Sequence, residues 1–77
     1  LEISPQKAFL FERKNFFRSQ KIIERKKDGA IVVSYHFTDL KEIEFFIMEF
    51  LGYVKILAPM ELKQKIIKKI EEGKNLL

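Results

Sequence analysis

Two stretches of alternating apolar and polar residues are joined by a turn signal in the first half of the chain. Residues 20–27 and 30–38 are typical of β-strands, and Asp28-Gly29 between them tolerates the positive φ that tight hairpin turns require. One face of the second strand carries Ile31, Val33, Tyr35 and Phe37, and the other carries Val32, Ser34 and His36. The first face is the better candidate for the core.

A helical pattern of apolar residues follows the hairpin. Asp39 is placed to cap this helix with Glu42 as its capping-box partner, and Gly52 supplies a left-handed stop. The residues predicted to face the core are Leu40, Ile43, Ile47, Phe50 and Leu51. A last helix is predicted from Pro59, with a stripe of Leu62, Ile66, Ile67 and Ile70. Gly73 ends or bends it, so residues 74–77 are predicted to be a tail.

The remaining elements are shorter. Leu1 and Ile3 alternate with Glu2 as in an edge strand, Ser4-Pro5 is a good start for a helix to about Lys14, and residues 53–57 form a last strand. The order strand, helix, strand, strand, helix, strand, helix predicts the α+β class. We expect a ferredoxin-like two-layer plait, βαββαβ, with an added C-terminal helix.

Length and composition limit the chain to one small domain, 1–77. The 77 residues contain no cysteine, and the longest apolar runs are too short to cross a membrane. No signal peptide is visible and the chain does not begin with Met, so we expect a cytoplasmic domain cut from a longer protein. The formal charge of +4 is unevenly placed, with a basic first third and an acidic middle.

Catalytic equipment is missing from the sequence. It has a single histidine, His36, and a zinc site needs three or four ligands. The three glycines are isolated, so no phosphate-binding loop is present. We therefore predict no enzymatic activity, no metal site and no cofactor.

The sheet face opposite the helices is the best candidate binding surface. From charge and from position on this face, the residues predicted to contact a nucleic acid or an effector are Lys21, Arg25, Lys26, Lys27, His36 and Lys55. RNA-binding modules of similar topology stack bases on aromatic side chains of this face, whereas Tyr35 and Phe37 are predicted on the other face. Nucleic-acid affinity of the isolated domain is thus expected to be weak, salt-sensitive and directed at phosphates. A histidine half exposed on a strand also needs no function.

Apolar residues outside the predicted core are candidates for an interface. These are Ile23 and Val32 on the open sheet face, and Phe45 with Met48 beside the core stripe of the middle helix. Burial of Phe45 and Met48 under the last helix is the alternative.

Several short segments, read together, resemble one family. The segments SQKIIERKKDG, VVSYHFTDLKEIEFFIMEFLG and VKILAPMEL are similar to the C-terminal extension (WCX) of bacterial WYL-domain transcriptional regulators. The resemblance covers about three quarters of the chain and rests on many small matches distributed along it.

The resemblance implies a regulatory or assembly domain of a longer transcription regulator. Its partners would be the WYL and helix-turn-helix domains of the same chain, a second copy in a homo-oligomer, and DNA bound through the N-terminal domain. An effector, either a nucleic acid or a small molecule, is also implied. Two alternatives stay open: a self-sufficient nucleic-acid-binding module and a small-molecule-sensing domain.

Overall fold

The computed structural model describes residues 1–76, which form an antiparallel four-stranded sheet and three helices. The strands are β1 (Glu2–Ile3), β2 (Lys21–Arg25), β3 (Ile31–Ser34) and β4 (Val54–Lys55). The helices are α1 (Pro5–Arg13), α2 (Lys41–Glu49) and α3 (Met60–Leu76). The sheet order is β2-β3-β1-β4, so β1 lies between β3 and β4. No helix among these residues is both long and apolar enough to cross a membrane.

The hairpin between β2 and β3 forms where the sequence predicts it. Gly29 has φ of +96° and its N–H donates to the carbonyl of Lys26, while the Asp28 carboxylate accepts the N–H of Ala30. Glycine is favoured at such a left-handed position because it has no Cβ to clash. The turn therefore fixes the register of the two strands.

The core lies between one face of the sheet and the three helices. Ile31 and Val33 of β3 are buried, as predicted, and so are Ile43 and Ile47 of α2. Val54 and Ile56 pack against this core while remaining partly exposed. The other members of the buried cluster are Ile3, Ala8, Phe11, Phe46, Leu62 and Ile66.

Rings from three parts of the chain meet in the core. Phe46 of α2, which the helical pattern did not single out, is central, with ring centroids of Phe11, Phe17 and Phe50 5.9, 5.2 and 5.0 Å away. The tilted and edge-on geometry of these pairs is the arrangement that aromatic quadrupoles prefer. Phe46 thereby joins α1, the following loop and α2.

Several helix boundaries differ from the sequence prediction. The Asp39 carboxylate accepts the N–H of Lys41, but no capping box with Glu42 forms, and Leu51 is exposed beyond the end of α2. The Ser4 hydroxyl makes no cap and is buried without a partner among the described residues. Of the two predicted effects of Gly73, an end or a bend of the last helix, the end is wrong, because α3 continues to Leu76. Leu77, the last residue of the predicted tail, lies outside the described residues.

The last helix buries only part of its length. Leu62 and Ile66 are buried, whereas Ile67 and Ile70, which were predicted to continue the stripe, are largely exposed. The second half of α3 therefore extends past the core.

We predict that Ile47→Ala lowers the free energy of unfolding by about 2–5 kcal/mol, since Ile47 is fully enclosed and its loss leaves a cavity. Ile67→Ala, the same change at an exposed site of α3, should cost less than about 1 kcal/mol. Urea unfolding of both variants measures the two values. Equal losses would show that Ile47 is not in the core.

Candidate functional site

The candidate site consists of the open sheet face and a cavity at one end of the sheet. The segment Ser19–Gln20, directly before β2, connects these features. Its side chains bond to the end of α1 and to the chain just after β3. This pair opens the first segment of the sequence resemblance.

The Gln20 side chain is only 7 % exposed and is fully used in hydrogen bonding. Its Nε2 donates to the carbonyl oxygens of Phe11 and Lys14, each at 3.0 Å. Its Oε1 accepts the N–H of Phe16 at 3.1 Å and the hydroxyl of Tyr35 at 2.7 Å. A buried amide is costly unless its donors and acceptors are paired, and here they are. Gln20 therefore holds the end of α1, the following loop and the end of β3 in one arrangement.

Ser19 forms hydrogen bonds with the chain just after β3, at the surface of the domain. The His36 N–H donates to Ser19 Oγ at 3.0 Å, and Ser19 Oγ lies 3.2 Å from the His36 carbonyl oxygen, to which it donates. These bonds continue the β2–β3 pairing by two residues beyond Ser34. They hold the backbone of His36, an exposed residue at the rim of the cavity.

The Tyr35 hydroxyl is placed by this network. Burial raises the pKa of Tyr35 above its ordinary value of 10, because the charged phenolate is poorly solvated there. The phenol consequently stays protonated and keeps donating to Gln20.

The open sheet face carries charges of both signs. Register places Lys21 beside Ser34, and it aligns Glu24, Val32, Glu2 and Lys55 across the four strands. Lys26 Nζ contacts Glu2 Oε1 at 2.6 Å, which raises the pKa of Lys26 through that hydrogen bond. The carboxylates of Glu2 and Glu24 therefore reduce the positive field that the sequence predicted for this face.

The prediction that Arg25 shares this face is wrong. A β-bulge between Ile22 and Glu24 adds one residue to β2, so Arg25 pairs with Ile31 on the helix side of the sheet. There its guanidinium binds both carboxylate oxygens of Glu12 on α1, at 2.9 and 3.1 Å. The hydrogen bond to Arg25 lowers the pKa of Glu12.

The remaining predicted contact residues are separated rather than gathered. Lys27 lies in the exposed hairpin turn, Lys55 at the far edge strand and His36 at the cavity rim. Only Lys21, Lys26 and Lys55 lie on the open face proper.

Of the predicted interface residues, two are free of the core. Ile23, in the bulge, is 63 % exposed, and Phe45 is 73 % exposed with Lys69 Nζ 5.8 Å from its ring centre. Met48 is only partly exposed and packs against the core. Val32 is 6 % exposed and buried between its strand neighbours, so it offers little surface to a partner.

The cavity was not predicted from the sequence. It has a volume of about 450 Å³ and is mainly apolar, within the range of ligand sites. Its walls come from the ends of β3 and β4, from Leu1, and from residues under the sheet such as Leu40, Ile43 and Leu62. Among the described residues, no group of three or more His, Cys, Asp or Glu side chains is placed to bind a metal ion.

A comparison with protein families places the chain in one of them. The chain matches the family model described as WCX domain over residues 1–73. The chain belongs to the WCX domain family. A search of curated proteins finds no match to this WCX domain. The paired Ser19–Gln20 segment, the Asp28-Gly29 turn and the positive φ of Gly52 all lie within the matched region.

We predict that Gln20→Leu lowers the free energy of unfolding by about 2 kcal/mol or more, because it leaves buried carbonyl groups of Phe11 and Lys14 without donors. Gln64→Leu on the exposed face of α3 is the matched control and should change little. Thermal and urea unfolding provide the measurement. A Gln20→Leu variant as stable as the control would rule out the network as a structural requirement.

We predict that the wild-type domain loses stability above about pH 10 more steeply than Tyr35→Phe. In the unfolded chain Tyr35 ionises near its ordinary pKa of 10, whereas the folded state keeps the proton. Above that pH the unfolded state binds fewer protons, so the free energy of unfolding falls as pH rises. Urea unfolding from pH 8 to 11 tests this, and parallel curves for the two proteins would contradict it.

Proposed function

We propose that this WCX domain is the C-terminal regulatory and assembly domain of a WYL-family helix-turn-helix transcription regulator. The observation that carries the proposal is the family match over residues 1–73, nearly the whole chain. The WYL and helix-turn-helix domains of the same polypeptide are then its covalent partners. DNA is bound by the helix-turn-helix domain, in the bacterial cytoplasm.

The topology supports a ferredoxin-like plait as the finer description of the fold. The sheet order β2-β3-β1-β4, antiparallel at each described pairing, places β1 beside β3 and β4. All three helices contribute buried residues to one core with the inner face of the sheet. Such a domain leaves its other sheet face and helix margins free for neighbours.

Two exposed apolar residues support an assembly role. Ile23 is exposed in the bulge of β2 next to Glu24, and Phe45 is exposed on α2 with Lys69 Nζ 5.8 Å from its ring centre. Apolar groups with a charged rim are characteristic of interfaces between domains or subunits. In the full-length regulator, we propose that one of these sites contacts a second copy or the WYL domain.

A self-sufficient nucleic-acid module receives less support. The cationic side chains are dispersed, Arg25 and Lys26 are paired with carboxylates, and the aromatic rings Tyr35 and Phe37 pack toward the core. The open face therefore lacks the stacking platform that single-stranded nucleic-acid binders use.

We predict that, in the full-length regulator, Ile23→Glu or Phe45→Glu weakens self-association at least about tenfold, equivalent to 1.4 kcal/mol, by placing a carboxylate in an apolar contact. Light scattering gives the mass, and operator binding reports whether assembly supports DNA recognition. Phe9→Glu changes an exposed aromatic residue of α1 outside both sites and is the matched control.

Wild-type mass and wild-type operator binding in both variants would contradict the assembly role. Circular dichroism of the three variants checks that each is folded. We expect this because all three positions are exposed.

A further inference from the structure

The cavity passes through the layer of the sheet. Its lining includes Val32 and Ser34, which belong to the open side, and Leu40, Ile43 and Leu62, which belong to the helix side. A pocket resting on one face of a sheet would not be lined from both sides. The space is therefore a gap between strands.

The strands on the two sides of the gap are β3 and β4. Where β1 is present, it pairs antiparallel with both of them, Glu2 beside Val32 and Lys55. Beyond Leu1 the chain of β3 continues as Ser34 and Tyr35 and that of β4 continues as Leu57 and Ala58, with the cavity between them. Because β1 holds its neighbours two strand spacings apart, roughly 9–10 Å, the gap begins at Leu1 with the width of one extended chain.

The backbone groups that face the gap follow from the hydrogen-bond alternation. Leu1 exchanges both backbone bonds with Val33, at 2.8 and 2.9 Å, so the next residue of β3 with its N–H and C=O turned inward is Tyr35. On the other side, Ser4 donates to the carbonyl of Tyr53, which makes Lys55 and then Leu57 the residues turned inward. Within residues 1–76, the backbone groups of Tyr35 and Leu57 have no hydrogen-bond partner.

We propose that this gap is a strand-binding groove whose occupant is the polypeptide segment directly preceding Leu1, extended as a continuation of β1. The inference rests on the proposed function, in which the WYL domain precedes this domain in the same chain. Two inward-facing backbone edges select an extended chain, since each offers a donor and an acceptor at strand spacing. About four residues, or roughly 13 Å of strand, reach from Leu1 to the level of Phe37.

The register assigns a role to each of the first two residues of the occupant. The residue directly before Leu1 lies beside Leu57, exchanges backbone bonds with it, and points its side chain to the open face. The second residue before Leu1 lies beside Tyr35 and points toward Leu40, Ile43 and Leu62. That second residue should accordingly be apolar, and a charged residue or proline there would contradict the register.

An extended segment bound in this groove would restrict the position of the preceding domain relative to this one. The occupant enters next to His36 and leaves as β1, so its direction is fixed by two neighbouring strands rather than by a free linker. The WYL domain would then lie near the C-terminal end of β3.

The test is amide hydrogen exchange in the full-length regulator. We expect the Tyr35 and Leu57 amides to be protected at least about 100-fold relative to unstructured chain, as the Val33 amide is expected to be through its bond to Leu1. Replacing the residue directly before Leu1 by proline removes the N–H that pairs with the Leu57 carbonyl, so protection of Tyr35 and Leu57 should fall while that of Val33 stays. Alanine at the same position keeps the N–H and is the matched control.

Each other outcome overturns the proposal in a recognisable way. Unprotected Tyr35 and Leu57 amides beside a protected Val33 would mean an open cavity, as expected for a small-molecule site. Protection that disappears on dilution would assign the groove to a second copy. Operator binding and mass of the same samples report on the proposed function independently, because a regulator can assemble and bind DNA with the groove empty.

Discussion

The buried carboxamide of Gln20 is the constraint on which the arrangement of this domain depends. Its hydrogen-bond partners are two carbonyl groups at the end of α1, one N–H of the loop that follows, and the hydroxyl of Tyr35 just after β3. A glutamine is suited to this place because its amide offers two donors and its oxygen two lone pairs in one plane. Leucine of similar size would fill the volume but leave the carbonyl groups unpaired.

The same network connects the core to the cavity. Tyr35 packs its ring against Phe17, with centroids 5.5 Å apart, while its hydroxyl reaches Gln20 and its backbone edge faces the gap in the sheet. Ser19 adds hydrogen bonds to the backbone of His36 at the surface. The β3 side of the groove is thus held by polar contacts, which fixes the position of the backbone edge that the proposed occupant would pair with. Pre-organisation of this kind reduces the entropy lost on binding.

The bulge in β2 decides what the open face presents to a partner. It turns Arg25 to the helix side, where Glu12 binds it, and lifts Ile23 into solvent. The face is left with lysines interspersed with Glu2 and Glu24, a surface suited to a protein neighbour of mixed charge more than to a polyanion. This agrees with the proposed function, in which the domain contacts neighbouring domains.

The sequence determined more of the fold than of the site. The hairpin at Asp28-Gly29, the buried positions Ile31, Val33, Ile43 and Ile47, and the family resemblance were all predicted, because turn chemistry and apolar periodicity are local properties. The central role of Phe46 and the exposure of Leu51 were not, since they depend on which helix face meets the sheet.

Only the tertiary structure decided the site. A one-residue bulge reverses every later side chain of β2, and nothing in the spacing of Ile22, Ile23 and Glu24 marks it. The cavity likewise exists because the chains that follow β3 and β4, which are distant in sequence, continue past Leu1. No local sequence pattern marks such an arrangement. Sequence alone therefore determined the elements, the turn and the family, whereas pairing between distant strands determined which charges share a face and where the groove lies.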